Sequence, residues 1–423
     1  MLRMKELLVI CVLLSYFSSG VSAGWWSWSA SDVDKPCNDC AKLYQRDLIS
    51  LWPKHVSYRG AFPPLIIGVG AEKSGTTSLG MILKANKDAG FFRGNAKEHR
   101  FFDCRWRRSL CADRNRRNPT LYHASWRNVA SHYKQYAKQW GIDVKCNHIT
   151  RECVSRNAAW QFTGNLTWDI SPGYMPQPTA PYHMREILPR ADLVKLIFIL
   201  REPIHRAISG FWQAAEKEKI YSLMGSFIDD NASTRLISNE LKFLRKCYNR
   251  AYKMIDGRCR SPEDRAYQAQ ICMNEHEKVQ WRGIDYVPGA LFFQDKQAVE
   301  PDGSFFHHDG NLYRGIYVDM LKNYLCAGFK PEQILILTTS ELKDPAFLKR
   351  VADFIGVGED AFSHNLKKTV NTNGKSHSHR ISEELLKELE DFYRPHNKEL
   401  VEFVKDAGFH VNLDAMEHEF LGY

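Results

Sequence analysis

Residues 70–79 read Gly70-Ala71-Glu72-Lys73-Ser74-Gly75-Thr76-Thr77-Ser78-Leu79. An apolar run, Leu65 to Val69, precedes them, and a helical apolar pattern, Leu79, Ile82 and Leu83, follows. The stretch therefore reads as strand, phosphate loop, helix. Backbone N–H groups at such a helix start, together with a nearby lysine, attract anionic oxygens. A second segment, Arg201-Glu202-Pro203-Ile204-His205-Arg206-Ala207-Ile208-Ser209-Gly210, follows another apolar run, Leu193 to Leu200. It sets two arginines and a serine at the next strand end. Either segment alone is also compatible with an ordinary strand–turn–helix or a solvated arginine pair. Together, on successive strand ends, they point to a site for a doubly phosphorylated nucleotide.

From Leu65 onward, strand-like apolar runs alternate with helical stretches, the mark of a parallel sheet covered by helices. The expectation is an α/β fold: a P-loop-like central parallel sheet flanked by helices, in a single domain with disulfide-containing insertions. Strands are expected at Leu65–Val69, Phe91–Phe92, Leu193–Leu200 and Ile334–Thr338, and helices at Thr76–Lys84, Pro203–Lys217, Tyr313–Leu325, Asp344–Ile355 and Ser382–Ala407. The last helix begins with Ser382 as N-cap and acids in its first turn. Residues 104–160 and 220–310 read as cysteine- and polar-rich insertions suited to acceptor recognition. Ligands of open α/β sheets lie at the carboxyl ends of the strands, where both motifs fall.

The 423 residues suffice for a large core, and 44% hydrophobic with 25% charged residues exclude a disordered chain. A net charge of +9 favours an acidic partner, whether nucleic acid, anionic lipid or sulfated polysaccharide. Arg3 and Lys5 precede a short apolar run, Leu7 to Phe17, followed by Val21-Ser22-Ala23. Residues 1–23 thus read as a cleaved signal peptide, or alternatively a signal anchor, with residues 24–60 as a Trp-rich stem and 61–423 as the catalytic domain. Beyond Cys11 in the leader, ten cysteines remain, several in close pairs, as structural disulfides of an oxidising compartment are. Cys37-Asn38-Asp39-Cys40 is alternatively a redox or zinc motif, but no second such pair accompanies it. With a leader, Asn165-Leu166-Thr167 and Asn231-Ala232-Ser233 are glycosylation sequons.

The first motif departs from a nucleotide triphosphatase loop, in which the lysine follows the last glycine. Here Lys73 precedes Ser74-Gly75-Thr76-Thr77, and the second motif has the form R-x-P-x-x-R-x-x-S. In both respects the chain resembles the carbohydrate sulfotransferases of the Golgi membrane type. The resemblance implies that Lys73, Ser74, Gly75, Thr76 and Thr77 bind the 5′-phosphosulfate of the cosubstrate PAPS (3′-phosphoadenosine 5′-phosphosulfate), and that Arg201 and Ser209 bind its 3′-phosphate. Gly374 and Lys375, in Asn373-Gly374-Lys375-Ser376-His377, resemble the family loop that closes over PAPS.

Lys97-Glu98-His99-Arg100-Phe101-Phe102 resembles the family's K-E-x-H-F-F segment and makes Glu98 the catalytic base, with Lys73 the cation at the leaving phosphate. Arg100 stands where relatives have histidine, so His99 is a weak partner. An aromatic surrounding raises a glutamate toward neutrality. In Trp168-Asp169-Ile170-Ser171-Pro172-Gly173-Tyr174, Ile170 replaces the lysine of heparan sulfate sulfotransferases, which favours the N-acetylgalactosamine 4-sulfate 6-O-sulfotransferase branch. Asp169 is then either an acceptor contact or a strand-end turn residue. Asn311 to Leu321, Gln333 to Leu337 and Asp391 to Asn397 resemble further segments of that branch.

The His307–His308 and His377–His379 pairs lack a third metal ligand at sensible spacing, and sulfuryl transfer requires no metal. The expectation is a PAPS-dependent O-sulfotransferase in the Golgi or secreted. Its acceptor would be an anionic glycosaminoglycan, tracked by basic insertions such as Arg105 to Arg117, with no nucleic-acid partner and no membrane contact beyond an anchor. A heparan sulfate enzyme and a non-catalytic polysaccharide-binding protein are the alternatives.

Overall fold

The computed structural model describes residues 66–85, 91–93, 98–102, 126–140, 143–150, 153–155, 166–177, 180–188, 190–217, 230–252, 311–344, 346–358 and 381–422. All of them fall in one compact unit, Asp39–Tyr423. The leader and stem, the Arg105 to Arg117 run, both histidine pairs, and Gly374 with Lys375 lie outside the described residues.

Among the described residues, six strands form one parallel sheet: β1 (Ile66–Gly70), β2 (Phe91–Arg93), β5 (Leu166–Ile170), β6 (Lys195–Leu200), β7 (Ile334–Thr338) and the two-residue β8 (His410–Val411), in the order β2-β5-β1-β6-β7-β8. A separate antiparallel hairpin, β3 (Val144–Cys146) with β4 (Cys153–Ser155), is closed by the Cys146–Cys153 disulfide. That bridge is one of the close cysteine pairs seen in the sequence; Cys247 and Cys326 are also disulfide-bonded.

The helices are α1 (Thr76–Ala85), α2 (Trp126–Ala137), α3 (Ala180–Ile187), α4 (Pro203–Lys217), α5 (Asp230–Tyr252), α6 (Tyr317–Cys326), α7 (Ala346–Ile355), α8 (Glu383–Ala407) and α9 (Leu413–Leu421). Alternation along the central strands supplies a core on each face. Leu196, Phe198, Ile334 and Ile336 face one side, where α2, α3, α6 and α8 pack. Ile197, Ile199, Leu335 and Leu337 face the other, against Leu79, Ile82 and Leu83 of α1 and Phe347, Val351 and Phe354 of α7. Strands buried on both faces have to be apolar throughout, which is why β1, β6 and β7 read as continuous runs.

Local signals fix the long C-terminal helix. The Ser382 hydroxyl accepts from the Leu385 N–H at 3.2 Å, Glu383 and Glu384 occupy the first turn, and Gly408 (φ 76°) ends the helix in the left-handed region. Among the described residues no helix is long and apolar enough to cross a membrane.

The topology places the site. After β1 the chain goes to β2 and β5 on one side of it, then crosses to β6 on the other. The point where the order reverses leaves a crevice beyond the carboxyl ends of β1 and β6, the usual ligand position in such sheets. Gly70 and Leu200 end those two strands.

Candidate functional site

Ala71 to Gly75 form the turn between β1 and α1, and its backbone is tied to the next strand by the Ala71 N–H donating to Ile199 O at 2.8 Å. Lys73 and Gly75 have positive φ (69° and 93°), the left-handed backbone found in anion-binding turns. Gly75 also has no room for a side chain: a Cβ there would lie 2.2 Å from Leu342 Cδ1. Ser74 and Thr76 are buried, and Thr77 is exposed.

The second motif meets the first directly. Arg201 Nη1 donates to Lys73 O at 3.3 Å. Burial pulls the Arg201 guanidinium below its ordinary value, while Glu419, Tyr317 and Glu202 favour its charge. Glu202 closes the first turn of α4, accepting from the Ile204 N–H at 3.0 Å and the His205 N–H at 2.7 Å, and its own N–H donates to Glu419. Arg206 and Ser209 follow, one turn apart on α4. Arg206 is 1% exposed, and its Nε and Nη2 have no hydrogen-bond partner. The Ser74 hydroxyl is likewise buried, beside the Tyr317 hydroxyl. Buried donors without partners are rare in folded proteins, so Arg206 gives the second motif unused donor capacity of the kind an anionic nucleotide takes up. Lys73, Ser74, Gly75, Thr76, Arg201 and Ser209 are thus brought to one end of the sheet.

A third segment, not assigned to the site by sequence reasoning, braces both motifs. In the turn Tyr313–Gly315, the Arg314 guanidinium pairs with the Glu72 carboxylate of the phosphate loop. A Cβ on Gly315 would meet Pro203 Cβ at 2.8 Å. Tyr317 donates from its hydroxyl to Arg201 O at 2.8 Å, and burial pushes that phenol up to about 12. Thr339, just after β7, donates its hydroxyl toward Leu200 O (3.0 Å) and Ser74 O (3.3 Å). None of these contacts has a local sequence signature, since each joins residues more than a hundred positions apart.

Glu98 stands on the other side of β1. Its Oε2 accepts from Arg100 Nε at 2.9 Å and Nη2 at 2.6 Å. Its aromatic sequence neighbours are buried, Phe101 and Phe102 against Tyr136 and Phe102 also against Tyr174, while the Glu98 side chain is 27% exposed. The segment is held by its backbone. The His99 N–H donates to Asp169 Oδ1 (3.4 Å), Arg100 N–H to Ser171 Oγ (3.0 Å) and Phe101 N–H to Tyr174 Oη (2.8 Å).

Asp169 is the hub of this clamp, not an exposed acceptor contact. It is fully buried on β5, in register with Ile67 of β1, and its carboxylate accepts from the Tyr136 and Tyr174 hydroxyls at 2.8 Å each and from Ser171 Oγ at 2.6 Å. Burial, then the Asp169 charge, raises Tyr136 well above the usual phenol value, so it stays a donor. His99 packs on Trp140 with ring centroids 4.5 Å apart, and neither of its ring nitrogens is hydrogen-bonded.

A parallel sheet with two anion-seeking motifs joined at its switch point defines an α/β protein of the phosphate-loop type. The chain belongs to the sulfotransferase domain family, which matches residues 63–403. Members of that family transfer a sulfuryl group and normally take it from PAPS. The solved sulfotransferase from Alicyclobacillus acidocaldarius is similar at 17% sequence identity and a TM-score of 0.44, over 84% of this chain and 100% of that one. No curated protein sequence matches.

Proposed function

We propose that the protein is a PAPS-dependent O-sulfotransferase whose acceptor is a hydroxyl of an anionic polysaccharide, most specifically the 6-hydroxyl of N-acetylgalactosamine in chondroitin or dermatan sulfate. The observation that carries the reading is the contact between Arg201 and the Lys73 carbonyl, which joins the two ends of a donor site. Lys73, with the amides and hydroxyls of Ser74 to Thr77, takes the 5′-phosphosulfate. Arg201 and Ser209 take the 3′-phosphate, with Gly374 and Lys375 proposed to close over it. The acceptor oxygen forms the new S–O bond as the bond from sulfur to the 5′-phosphate oxygen breaks. Glu98 receives the acceptor proton, and Lys73 balances the charge left on adenosine 3′,5′-bisphosphate. Such in-line transfer runs through a loose transition state, so positioning and charge do most of the catalysis.

The polysaccharide acceptor is supported by the basic balance of the chain, +9, and by Ile170 in place of the lysine of heparan enzymes. Placement in the Golgi lumen or outside the cell is supported by the leader-like residues 1–23 and by the Cys146–Cys153 disulfide, a bond of oxidising compartments. The test is transfer of labelled sulfate from PAPS to a panel of desulfated and sulfated glycosaminoglycans. Label on chondroitin or dermatan chains, at the 6-position of the amino sugar, is the expected result. Label confined to heparan moves the enzyme to that polymer. Donor binding without transfer to any polysaccharide overturns the acceptor assignment.

A further inference from the structure

Glu72 is the single acid in the phosphate loop, residues 70–79. It precedes Lys73, the cation on which the donor site depends, so an unneutralised carboxylate there repels the same anion that the loop amides attract. Across unit charges a few ångströms apart near a protein surface, such repulsion is worth at least a tenfold change in affinity. The fold answers it from a distant segment. Arg314 pairs with the Glu72 carboxylate, and its side chain is only 9% exposed against 32% for Glu72.

The turn that carries Arg314 is fixed on several sides. The Leu312 N–H donates to Glu240 Oε1 at 2.7 Å, Tyr393 donates its hydroxyl to Leu312 O at 2.5 Å, and Gly315 lies against Pro203 of the second motif. The guanidinium is therefore delivered by a rigid support and does not depend on a flexible side chain finding its partner.

We propose that Arg314 is a positioning residue for the donor loop, which acts through Glu72: it neutralises that carboxylate and holds it away from the 5′ anion, and so sets the affinity of the loop. The inference rests on the reading that residues 71–77 bind the 5′-phosphosulfate.

The experiment is calorimetric titration of the full chain with adenosine 3′,5′-bisphosphate, for the wild type, R314Q, E72Q, the R314Q/E72Q double variant and R314K, each at low and high salt. R314Q is expected to bind about tenfold or more weakly at low salt, with the deficit shrinking as salt screens the exposed carboxylate. E72Q is expected to bind at least as tightly as the wild type, the double variant to return to within about threefold of E72Q, and R314K to stay near the wild type. A double variant as weak as R314Q overturns the proposal, because Arg314 then acts through the fold or on the ligand itself. Should R314Q fail to fold, a tenfold loss in E72Q, or in a folded R314K, overturns it equally. Absence of binding by the wild type instead defeats the reading of the loop, an outcome separate from any pattern among the variants.

Discussion

Arg201 and Lys73, separated by 128 positions in the chain, meet through a hydrogen bond from the guanidinium to the lysine carbonyl at 3.3 Å. The side chain that begins the second motif thereby orders the backbone of the first. Charge-assisted hydrogen bonds of this kind are about twice as strong as neutral ones. On the proposed reading, R201A loses a ligand of the 3′-phosphate and loosens the loop assigned to the 5′ end. Its affinity for adenosine 3′,5′-bisphosphate is expected to fall by about tenfold to a hundredfold. R201K, which keeps charge but not the fork, recovers only part of it. Titration with adenosine 5′-monophosphate separates the two effects. A variant that binds the monophosphate as well as the wild type has lost the 3′ contact alone, and the coupling between the motifs is then absent.

Glu98 is the proposed base, and its Oε2 accepts from two nitrogens of Arg100. E98Q is isosteric and retains nucleotide binding, but general base catalysis contributes about 10²–10⁴-fold, and turnover should fall by that factor. Removing the guanidinium in R100A takes away the side chain that holds the Glu98 carboxylate in place, so kcat should fall while affinity for adenosine 3′,5′-bisphosphate stays native. Turnover unchanged in E98Q removes the assignment. A native kcat in R100A removes the role of the pair.

The clamp beneath Glu98 separates positioning from binding. D169N leaves a buried amide facing the Tyr136 and Tyr174 hydroxyls and the Ser171 hydroxyl, all of which donate to Asp169 in the native fold. Losing one member of a buried network costs about 1–3 kcal/mol for each group left unsatisfied. Y174F is the gentler variant: it deletes the hydroxyl that accepts from the Phe101 N–H and donates to Asp169, and keeps the ring. The expected result for Y174F is a fall in kcat with unchanged affinity for adenosine 3′,5′-bisphosphate. A lowered melting temperature at native kcat would show that the network serves stability alone.

The parts of this architecture legible in the sequence are those whose physics is local. β1, β6 and β7 announce themselves because strands buried on both faces are apolar at every position, and α4 and the start of α8 follow from a proline at the first turn and a serine cap. β5, Leu166–Ile170, does not read as a strand in the sequence, because it buries the polar Thr167 and Asp169, the latter held by the Tyr136, Ser171 and Tyr174 hydroxyls. α2 and α5 lie in regions read as polar insertions. Yet Val129, Tyr133 and Tyr136, and Ile237, Leu241 and Leu244, recur at helical spacing and are buried. Counting tyrosines as apolar would have found the first. The motifs carrying Lys73 and Arg201 were visible, whereas the braces from Arg314, Tyr317 and Thr339 arise only when distant segments pack.

The start of α4 has a pH signature. Burial pushes Glu202 up, but hydrogen bonds from the His205 ring and from the His205 and Ile204 amides outweigh it and hold the carboxyl below its ordinary 4.5. The hydrogen bond to Glu202 raises His205 above its ordinary 6.5, against the effect of burial. A raised histidine stabilises the fold fully below its unfolded pKa and loses the effect as pH rises through the folded one; a depressed glutamate stabilises above its unfolded pKa and loses the effect as pH falls through the folded one. Both contributions are present together between about 4.5 and 6.5. His205 is 72% exposed, so screening limits the pair to about 0.5 kcal/mol. H205Q should therefore be less stable than the wild type in urea at pH 5.5 and equal to it at pH 9. An equal deficit at both values would mean that the ring contributes by packing and not by charge.

Gly75 tests whether the loop conformation itself, apart from any side chain, makes the donor site. G75A meets two obstacles of different kinds: its Cβ lies 2.2 Å from Leu342 Cδ1, and its φ of 93° is in a region that L-residues rarely adopt. The first is steric and removable, because Leu342 ends in a flexible side chain; the second belongs to the backbone. G75A alone is expected to lose nucleotide binding by a factor of about ten or more, with a destabilisation of about 1–3 kcal/mol. L342A added to it relieves the contact but leaves the strained φ. The double variant should thus regain part of the stability while its affinity for adenosine 3′,5′-bisphosphate stays low. Full recovery of affinity in G75A/L342A would show that the glycine is required only to clear Leu342, and that the left-handed turn of the phosphate loop is dispensable for holding the anion.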